Sequence, residues 1–165
     1  MTSPRLEIDW ATYHNLLLEL AQQIYESCWE FDSILCLARG GLRVGDTLSR
    51  LLRKPLAVLS TSSYTDNHQR GKLKIADCIT HTAPLGDRLL VADDMVDSGV
   101  TLIEVLHWLD DRYQFQEVRT AVLWYKARSI CVPDYYVSYL PENPWIVQPF
   151  EEFEHMAERF TLRDI

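Results

Sequence analysis

The sequence predicts an α/β protein with a mostly parallel central sheet flanked by helices. Short apolar runs alternate with amphipathic helical patterns, and the apolar runs end at turns that contain Gly or Asp. The composition, with 47% hydrophobic and 24% charged residues, is that of a globular protein. When strands and helices alternate along a chain, the strands pair in parallel and the helices cover both faces of the sheet. The length of 165 residues predicts a single domain over 1–165.

The predicted elements follow in order from the N-terminus. Residues 5–8 form a short edge strand, and Asp9 caps a first helix whose apolar residues recur at helical spacing. The segment 127–150 is rich in Pro, Tyr and Trp and is predicted to form a small hood, and 151–165 is predicted to be helical. The remaining predictions are strands over 33–38, 57–61, 73–80, 88–92, 118–124 and 135–139, and helices over 43–52 and 100–111.

Bulk properties argue against several classes of function. The net charge of −8 argues against binding of nucleic acid, which needs clustered Lys and Arg. No apolar run is long enough to span a membrane, and no signal-peptide core follows the N-terminus. The four cysteines, Cys28, Cys36, Cys78 and Cys131, form no C-x-x-C pair, which argues against a zinc site. We expect reduced thiols in a cytoplasmic protein.

The acidic segment after the strand over 88–92 carries the most chemical information. Asp93 and Asp94 follow the apolar run directly, and Asp97 precedes the start of a helix. Backbone N–H groups at a helix start bind phosphate, and paired carboxylates suit sugar hydroxyls or a hard cation such as Mg²⁺. A simpler alternative is that Asp97 and Ser98 only cap the helix, which leaves the acid pair unexplained. The candidate phosphate-binding residues are Asp97, Ser98, Gly99, Val100 and Thr101.

Two further loops are candidates for ligand binding. Arg39 and Gly40 follow the strand over 33–38, at the end of the strand where sheets of this kind bind ligands. Glycine there lets backbone amides approach an anion, and Arg39 adds a charged fork; the alternative is a structural turn. The polar segment 62–72 has the length and composition of an active-site lid, with a solvated surface loop as the alternative.

The run Asp-Asp-Met-Val-Asp-Ser-Gly-Val-Thr over 93–101, between a strand and a helix, resembles the signature of the type I phosphoribosyltransferases. The resemblance implies that family's fold, with a hood and a flexible active-site loop, and a site for phosphoribosyl pyrophosphate (PRPP) with Mg²⁺. It implies that residues 97–101 hold the 5-phosphate, that Asp93 and Asp94 engage the ribose hydroxyls, and that Asp94 is the metal-binding residue.

The same resemblance assigns the two other loops. Arg39 and Gly40 would belong to the loop that binds pyrophosphate, where family members often have a cis peptide; in this chain it would join Ala38 to Arg39. Ser63, Tyr64 and Arg70 are similar to the lid of the members that act on 6-oxopurines, and the match implies that Arg70 serves the departing pyrophosphate.

A narrower resemblance, to the bacterial members that act on xanthine and guanine, lies in the last third of the chain. It rests on Lys126 near a strand end, an Asp-Tyr-x-Val segment and the Trp-Ile-x-Gln-Pro segment that begins at Trp145. The match implies that Lys126 donates to the purine O6, that Trp145 stacks on the base, and that the backbone of Ile146 contacts the exocyclic edge. Asp97 would then act as general base near N7 or stabilise the proton there. A core Trp and a solvated Lys are the alternative.

The sequence departs from the family pattern at a few positions. Family members often have Thr at the position of Ser98 and Gly at the position of Val100. Gly71 in the lid and the Ala-Arg-Ser run over 127–129 also differ from the family pattern. The last departure leaves the preference among purines open.

The expected function is transfer of ribose 5-phosphate from PRPP to N9 of a 6-oxopurine, which yields a nucleoside monophosphate and pyrophosphate. The family also suggests a homodimer or homotetramer, and peripheral membrane association occurs in it. Two alternatives stay open. The chain could be a regulator that senses PRPP or a nucleotide on the same fold, or it could act on another nucleobase, because fold alone does not fix function.

Overall fold

A computed structural model describes residues 4–63, 73–153 and 156. Within this part of the chain a seven-stranded sheet has the order β4-β3-β2-β5-β7, and β6 and β8 also pair with β7. The elements are β1 Arg5–Glu7, α1 Trp10–Glu26, β2 Ser33–Ala38, α2 Leu42–Leu52, β3 Leu56–Ser63, β4 Leu73–Ile75, β5 Arg88–Ala92, β6 Met95–Val96, α3 Val100–Arg112, β7 Glu117–Lys126, β8 Tyr135–Leu140 and β9 Trp145–Val147.

The central sheet is parallel except for the β3–β4 pair, so the predicted fold class is confirmed. Strand β6 continues the line of β5 along one edge of β7. Arg88 pairs with Glu117 and Met95 pairs with Trp124, a partner 29 residues further on in both cases. Strand β8 takes the other edge of β7. The acid pair at 93–94 therefore lies between two strand segments that share one register.

Successive residues of the buried strands point to opposite faces of the sheet and enter two separate cores. Leu90 and Leu123 pack with the buried face of α1 and with α2, whereas Leu89 and Val122 pack with α3. Asp9 caps α1 as predicted, because its Oδ1 accepts a hydrogen bond of 2.7 Å from the N–H of Thr12. Helices on both faces leave the carboxyl ends of the parallel strands as the edge where loops can meet.

The predicted return strand over 73–80 is wrong in its extent. Strand β4 ends at Ile75, opposite Thr61, and the next pairing is an isolated bridge between Thr80 and Val58. Between these two pairs the return segment advances by five residues, from 75 to 80, whereas β3 spans only three, from 61 to 58. Two extra residues bulge out of the ladder, and this interrupts the strand.

The N-terminal strand β1 lies outside the central sheet. It pairs in parallel with β9, with Leu6 opposite Ile146. Of the segment 127–150, residues 135–140 thus join the central sheet and 145–147 join the N-terminal strand. Most of the predicted C-terminal helix lies outside the described residues. Among the helices described, none combines the length and apolar character that crossing a membrane requires.

Candidate active site

The glycine loop after β2 and the acid pair after β5 are in direct contact, as their positions at neighbouring strand ends predict. A Cβ atom added at Gly40 would lie 2.6 Å from Asp94 Oδ1, and one added at Gly41 would lie 2.5 Å from the carbonyl oxygen of Ala92. Only glycine allows approaches this close. The peptide bond between Ala38 and Arg39 is cis, as the family resemblance implies.

The acid pair has its backbone in the sheet and its carboxylates at the edge. The N–H of Asp93 donates to the carbonyl of Ala121 at 3.1 Å, and the carbonyl of Asp94 accepts from the N–H of Leu123 at 2.9 Å. Asp94 Oδ1 accepts from the N–H of Met95 at 2.8 Å, and Asp94 Oδ2 accepts from Nε2 of Gln148. Burial, reinforced by the negative charge of Asp94, raises the pKa of Asp93 well above its ordinary value.

The oxygen ligands at this edge of the sheet suit a Mg²⁺ ion that is also bound by the phosphates of a substrate. Asp93 and Asp94 offer adjacent carboxylate oxygens, and Gly40 keeps the space beside Asp94 clear of a side chain. The described residues hold no cluster of three or more metal-ligating side chains. In enzymes that act on phosphorylated substrates, Mg²⁺ is usually bound by one or two carboxylates together with substrate phosphates and water.

The loop before α3 has the features of an anion-binding turn. Gly99 occupies the N-cap position with φ +82°, and no side chain caps the helix there. Helical capping by Asp97 or Ser98, the alternative considered from the sequence, is therefore not what the structure has. The first N–H groups of α3 then depend on another partner for their hydrogen bonds, which an anion can supply. Val100 and Thr101 form the first turn of this helix.

The turn after β7 packs onto this loop. The N–H of Ile130 donates to the carbonyl of Ser98 at 3.0 Å. A Cβ atom at Gly99 would lie 2.6 Å from Ser129 Oγ and 2.8 Å from Cys131 Sγ, so the two segments meet with no space for a side chain. The residues around Lys126 are thus held at a fixed position relative to the candidate phosphate loop.

Asp97 lies between two cations at this contact. Lys126, the last residue of β7, has a side chain only 4% exposed, and its Nζ lies 3.2 Å from Asp97 Oδ1. Arg128 Nε donates to the same oxygen at 2.7 Å, and its Nη2 donates to Oδ2. Burial alone would raise the pKa of Asp97, but the hydrogen bond from Arg128 and the charge of Lys126 outweigh it and lower the pKa.

Trp145 and Ile146 lie on β9, which is tied to the site at both ends. Asn143, just before the strand, accepts a hydrogen bond from the N–H of Arg128, and Gln148, just after it, donates to Asp94. Trp145 is 59% exposed and Lys126 is buried, the reverse of the alternative with a core Trp and a solvated Lys.

The backbone of Ile146 is directed away from β1. The N–H of Trp145 donates to the carbonyl of Pro4 at 2.8 Å, and the carbonyl of Val147 accepts from the N–H of Ile8 at 3.0 Å, so both bond to the residues that flank β1. Hydrogen bonding to one neighbour uses alternate residues of a strand, so the backbone groups of Ile146 face the other edge.

The structure brings together the predicted residues of the glycine loop, the acid pair, the phosphate loop and the base-side segment. Arg70, with most of the predicted lid, lies outside the described residues. Two contacts went unrecognised in the sequence. The sequence marks Arg128 only as a departure from the family pattern. Gln148, which is 5% exposed and donates to Asp94, carries no predicted role. The available signal for Gln148 was a single polar residue within the apolar run over 144–150.

Comparisons with known proteins agree with this geometry. The model of the family described as phosphoribosyl transferase domain matches residues 9–155. Xanthine-guanine phosphoribosyltransferase of Idiomarina loihiensis is 26% identical over 152 residues, which are 92% of this chain and 89% of the relative. A purine phosphoribosyltransferase structure from Pyrococcus horikoshii is 30% identical with a TM-score of 0.73, over 88% of this chain and 93% of the other. The xanthine-guanine-hypoxanthine enzyme of Helicobacter pylori is 27% identical with a TM-score of 0.76, over 94% and 99%. The chain belongs to the phosphoribosyltransferase family.

Proposed function

We propose that the chain transfers ribose 5-phosphate from PRPP to N9 of a 6-oxopurine and releases pyrophosphate. The observation that carries the proposal is the packing of the Lys126 turn onto the phosphate loop at Gly99. It brings the ammonium of Lys126, which can donate a hydrogen bond to an oxo group, and the carboxylate of Asp97 into one site. This site lies beside a helix start that can bind an anion. The relatives named for guanine, xanthine or hypoxanthine support the same choice of base.

PRPP would bind along the edge formed by the first two loops and the start of α3. The N–H groups and hydroxyls of residues 97–101 would hold the 5-phosphate, and Asp93 and Asp94 would accept hydrogen bonds from the ribose hydroxyls. Asp94 would also hold Mg²⁺, and the bound cation would supply positive charge to offset that of the pyrophosphate group. Arg39 and the backbone at Gly40 would contact pyrophosphate, with Arg70 contributing from the lid.

The base would lie between Trp145 and the Lys126–Asp97 pair. The exposed indole of Trp145 offers a stacking face, the ammonium of Lys126 suits the O6 carbonyl oxygen, and the backbone of Ile146 faces the exocyclic edge. In the reaction N9 forms a bond to the anomeric carbon while the bond from that carbon to pyrophosphate breaks. Asp97 would accept the N7 proton or stabilise it by a hydrogen bond.

Cellular location and assembly complete the proposal. We expect a cytoplasmic enzyme that forms a homodimer or homotetramer. Ile130, Val132 and Tyr139, all at least 50% exposed, provide apolar surface near the site for self-association.

The direct test is nucleotide formation from PRPP, Mg²⁺ and each of guanine, xanthine, hypoxanthine, adenine and uracil. We expect product from the 6-oxopurines and none from adenine or uracil. Asp97→Asn should slow turnover far more than it weakens PRPP binding, and Asp110→Asn, on the exposed end of α3, is the matched control. Failure with every 6-oxopurine would overturn the proposal, and retained PRPP binding in that case would favour a PRPP-sensing regulator.

A further inference from the structure

Arg128 makes the most specific contact that the proposed mechanism does not use. Its guanidinium engages both oxygens of Asp97, through Nε to Oδ1 and Nη2 to Oδ2. Lys126 approaches the same carboxylate with a single ammonium, whose Nζ lies 3.2 Å from Oδ1. A planar fork fixes the plane of a carboxylate, whereas an ammonium acts as a point charge and leaves that plane free to rotate.

The backbone of Arg128 is held in place independently of its side chain. Its N–H donates to Asn143 Oδ1 at 2.8 Å, and the following N–H, of Ser129, donates to the carbonyl of Lys126 at 3.0 Å. The same turn is bonded to the phosphate loop through Ile130 and Ser98. The guanidinium therefore reaches Asp97 from an anchored turn, and its removal leaves the bonds that fold the turn intact.

We infer that Arg128 is a positioning residue of the base site, which orients Asp97 to accept a hydrogen bond from the five-membered ring of the purine. The inference rests on the proposed function. Arg128 acts through Asp97 and donates to its carboxylate, while Lys126 serves the O6 side. Guanine, xanthine and hypoxanthine share the five-membered ring and differ at C2, so loss of Arg128 affects all three to the same degree.

The test compares Arg128→Gln and Arg128→Lys with the wild type, first with each of the three bases varied at saturating PRPP and then with PRPP varied at a saturating base. Arg50→Gln is the matched control, because Arg50 contacts both oxygens of Asp46 on the exposed surface of α2. For Arg128→Gln we expect kcat/KM for every base to fall about 10- to 100-fold, the size expected for hydrogen bonds between charged groups. The KM for PRPP stays within about twofold, since those contacts are unchanged.

Two further measurements separate positioning from a general loss of structure. Arg128→Lys restores the charge without the fork, so it recovers only part of the lost kcat/KM. In a double-mutant cycle, Asp97→Asn combined with Arg128→Gln loses little more than Asp97→Asn alone, because the two residues act as one unit. Losses that multiply in the double variant would overturn the inference.

Other outcomes bear on the inference without touching the proposed function. A wild-type enzyme active on 6-oxopurines, with Arg128→Gln equally active, would refute the role of Arg128 alone. So would a loss confined to one base, which would mean that Arg128 contacts the C2 substituent, or a gain in base affinity, which would mean that Arg128 blocks Asp97. A wild type inactive on every 6-oxopurine would instead refute the proposed function.

Discussion

Replacing Gly40 by Ala tests whether the glycine loop and Asp94 form one site. The new Cβ would lie 2.6 Å from Asp94 Oδ1 and 2.8 Å from its Cγ, closer than side chains pack, so the carboxylate must swing away. It would then lose its hydrogen bonds from the N–H of Met95 and from Gln148. Hydrogen bonds to charged groups contribute about 1.5–3 kcal/mol each. Because Asp94 is half-buried and water replaces part of this, we expect a net loss near 2 kcal/mol in the free energy of unfolding.

The assay pairs urea denaturation with steady-state kinetics at varied PRPP and Mg²⁺. We expect kcat/KM for PRPP to fall about 100-fold, as for loss of two positioned charge contacts, and the Mg²⁺ requirement to rise. Gly45→Ala, in helix α2 directly after this loop, is the control. The new Cβ at position 45 would lie 2.4 Å from Cys36 Cβ in the core, so this variant should be less stable. The position of the Asp94 carboxylate should not change. If Gly40→Ala kept the wild-type dependence on PRPP and Mg²⁺, the geometry of Asp94 would not matter for binding.

Two further predictions use the phosphate loop and Asp97. Gly99→Ala should cost at least about 1 kcal/mol of stability, because φ is +82° there, and should also raise the KM for PRPP. Gly86→Ala, at φ +77° against Asp32, should lose stability with KM unchanged, and equal KM effects would contradict the phosphate assignment. Asp97 must be ionised to act as a base toward the N7 proton, and its lowered pKa keeps it ionised at pH values below the ordinary aspartate pKa of about 3.9. The acidic limb of kcat/KM against pH should therefore move to higher pH in Arg128→Gln, and an unmoved limb would argue against this role.

Local signals in the sequence were sufficient for most of the fold. The predicted strands over 33–38 and 88–92 match β2 and β5 residue for residue, because each is a continuous apolar run bounded by polar residues. The Asp9 cap was visible for the same reason, since its partner is only three residues away. The contact between the glycine loop and the acid pair followed from topology alone, because carboxyl ends of adjacent parallel strands share one edge.

Features that depend on distant pairing were not visible in the sequence. Strand β6 has two residues, and its hydrogen bonds come from β7, far along the chain. Strand β9 forms only because β1 supplies a partner about 140 residues earlier, a pairing that no local pattern specifies. The Arg128–Asp97 pair joins residues 31 positions apart in two separate loops. Residue type showed that both could be charged partners, but only the packing of the turn onto Gly99 made them neighbours.

That packing also means that the proposed phosphate-binding loop and the proposed base-binding residues are not independent. A buried ammonium is costly unless it is paired, so Lys126 needs the charge of Asp97, and Asp97 is in turn held by Arg128. The contacts among these three residues depend on the turn after β7, which packs against Gly99 so closely that no side chain fits between them. A side chain at Gly99 must push this turn outward and shift Arg128 away from Asp97. Gly99→Ala should therefore raise the KM for the purine as well as for PRPP, and a change confined to PRPP would show that the two sides are positioned separately.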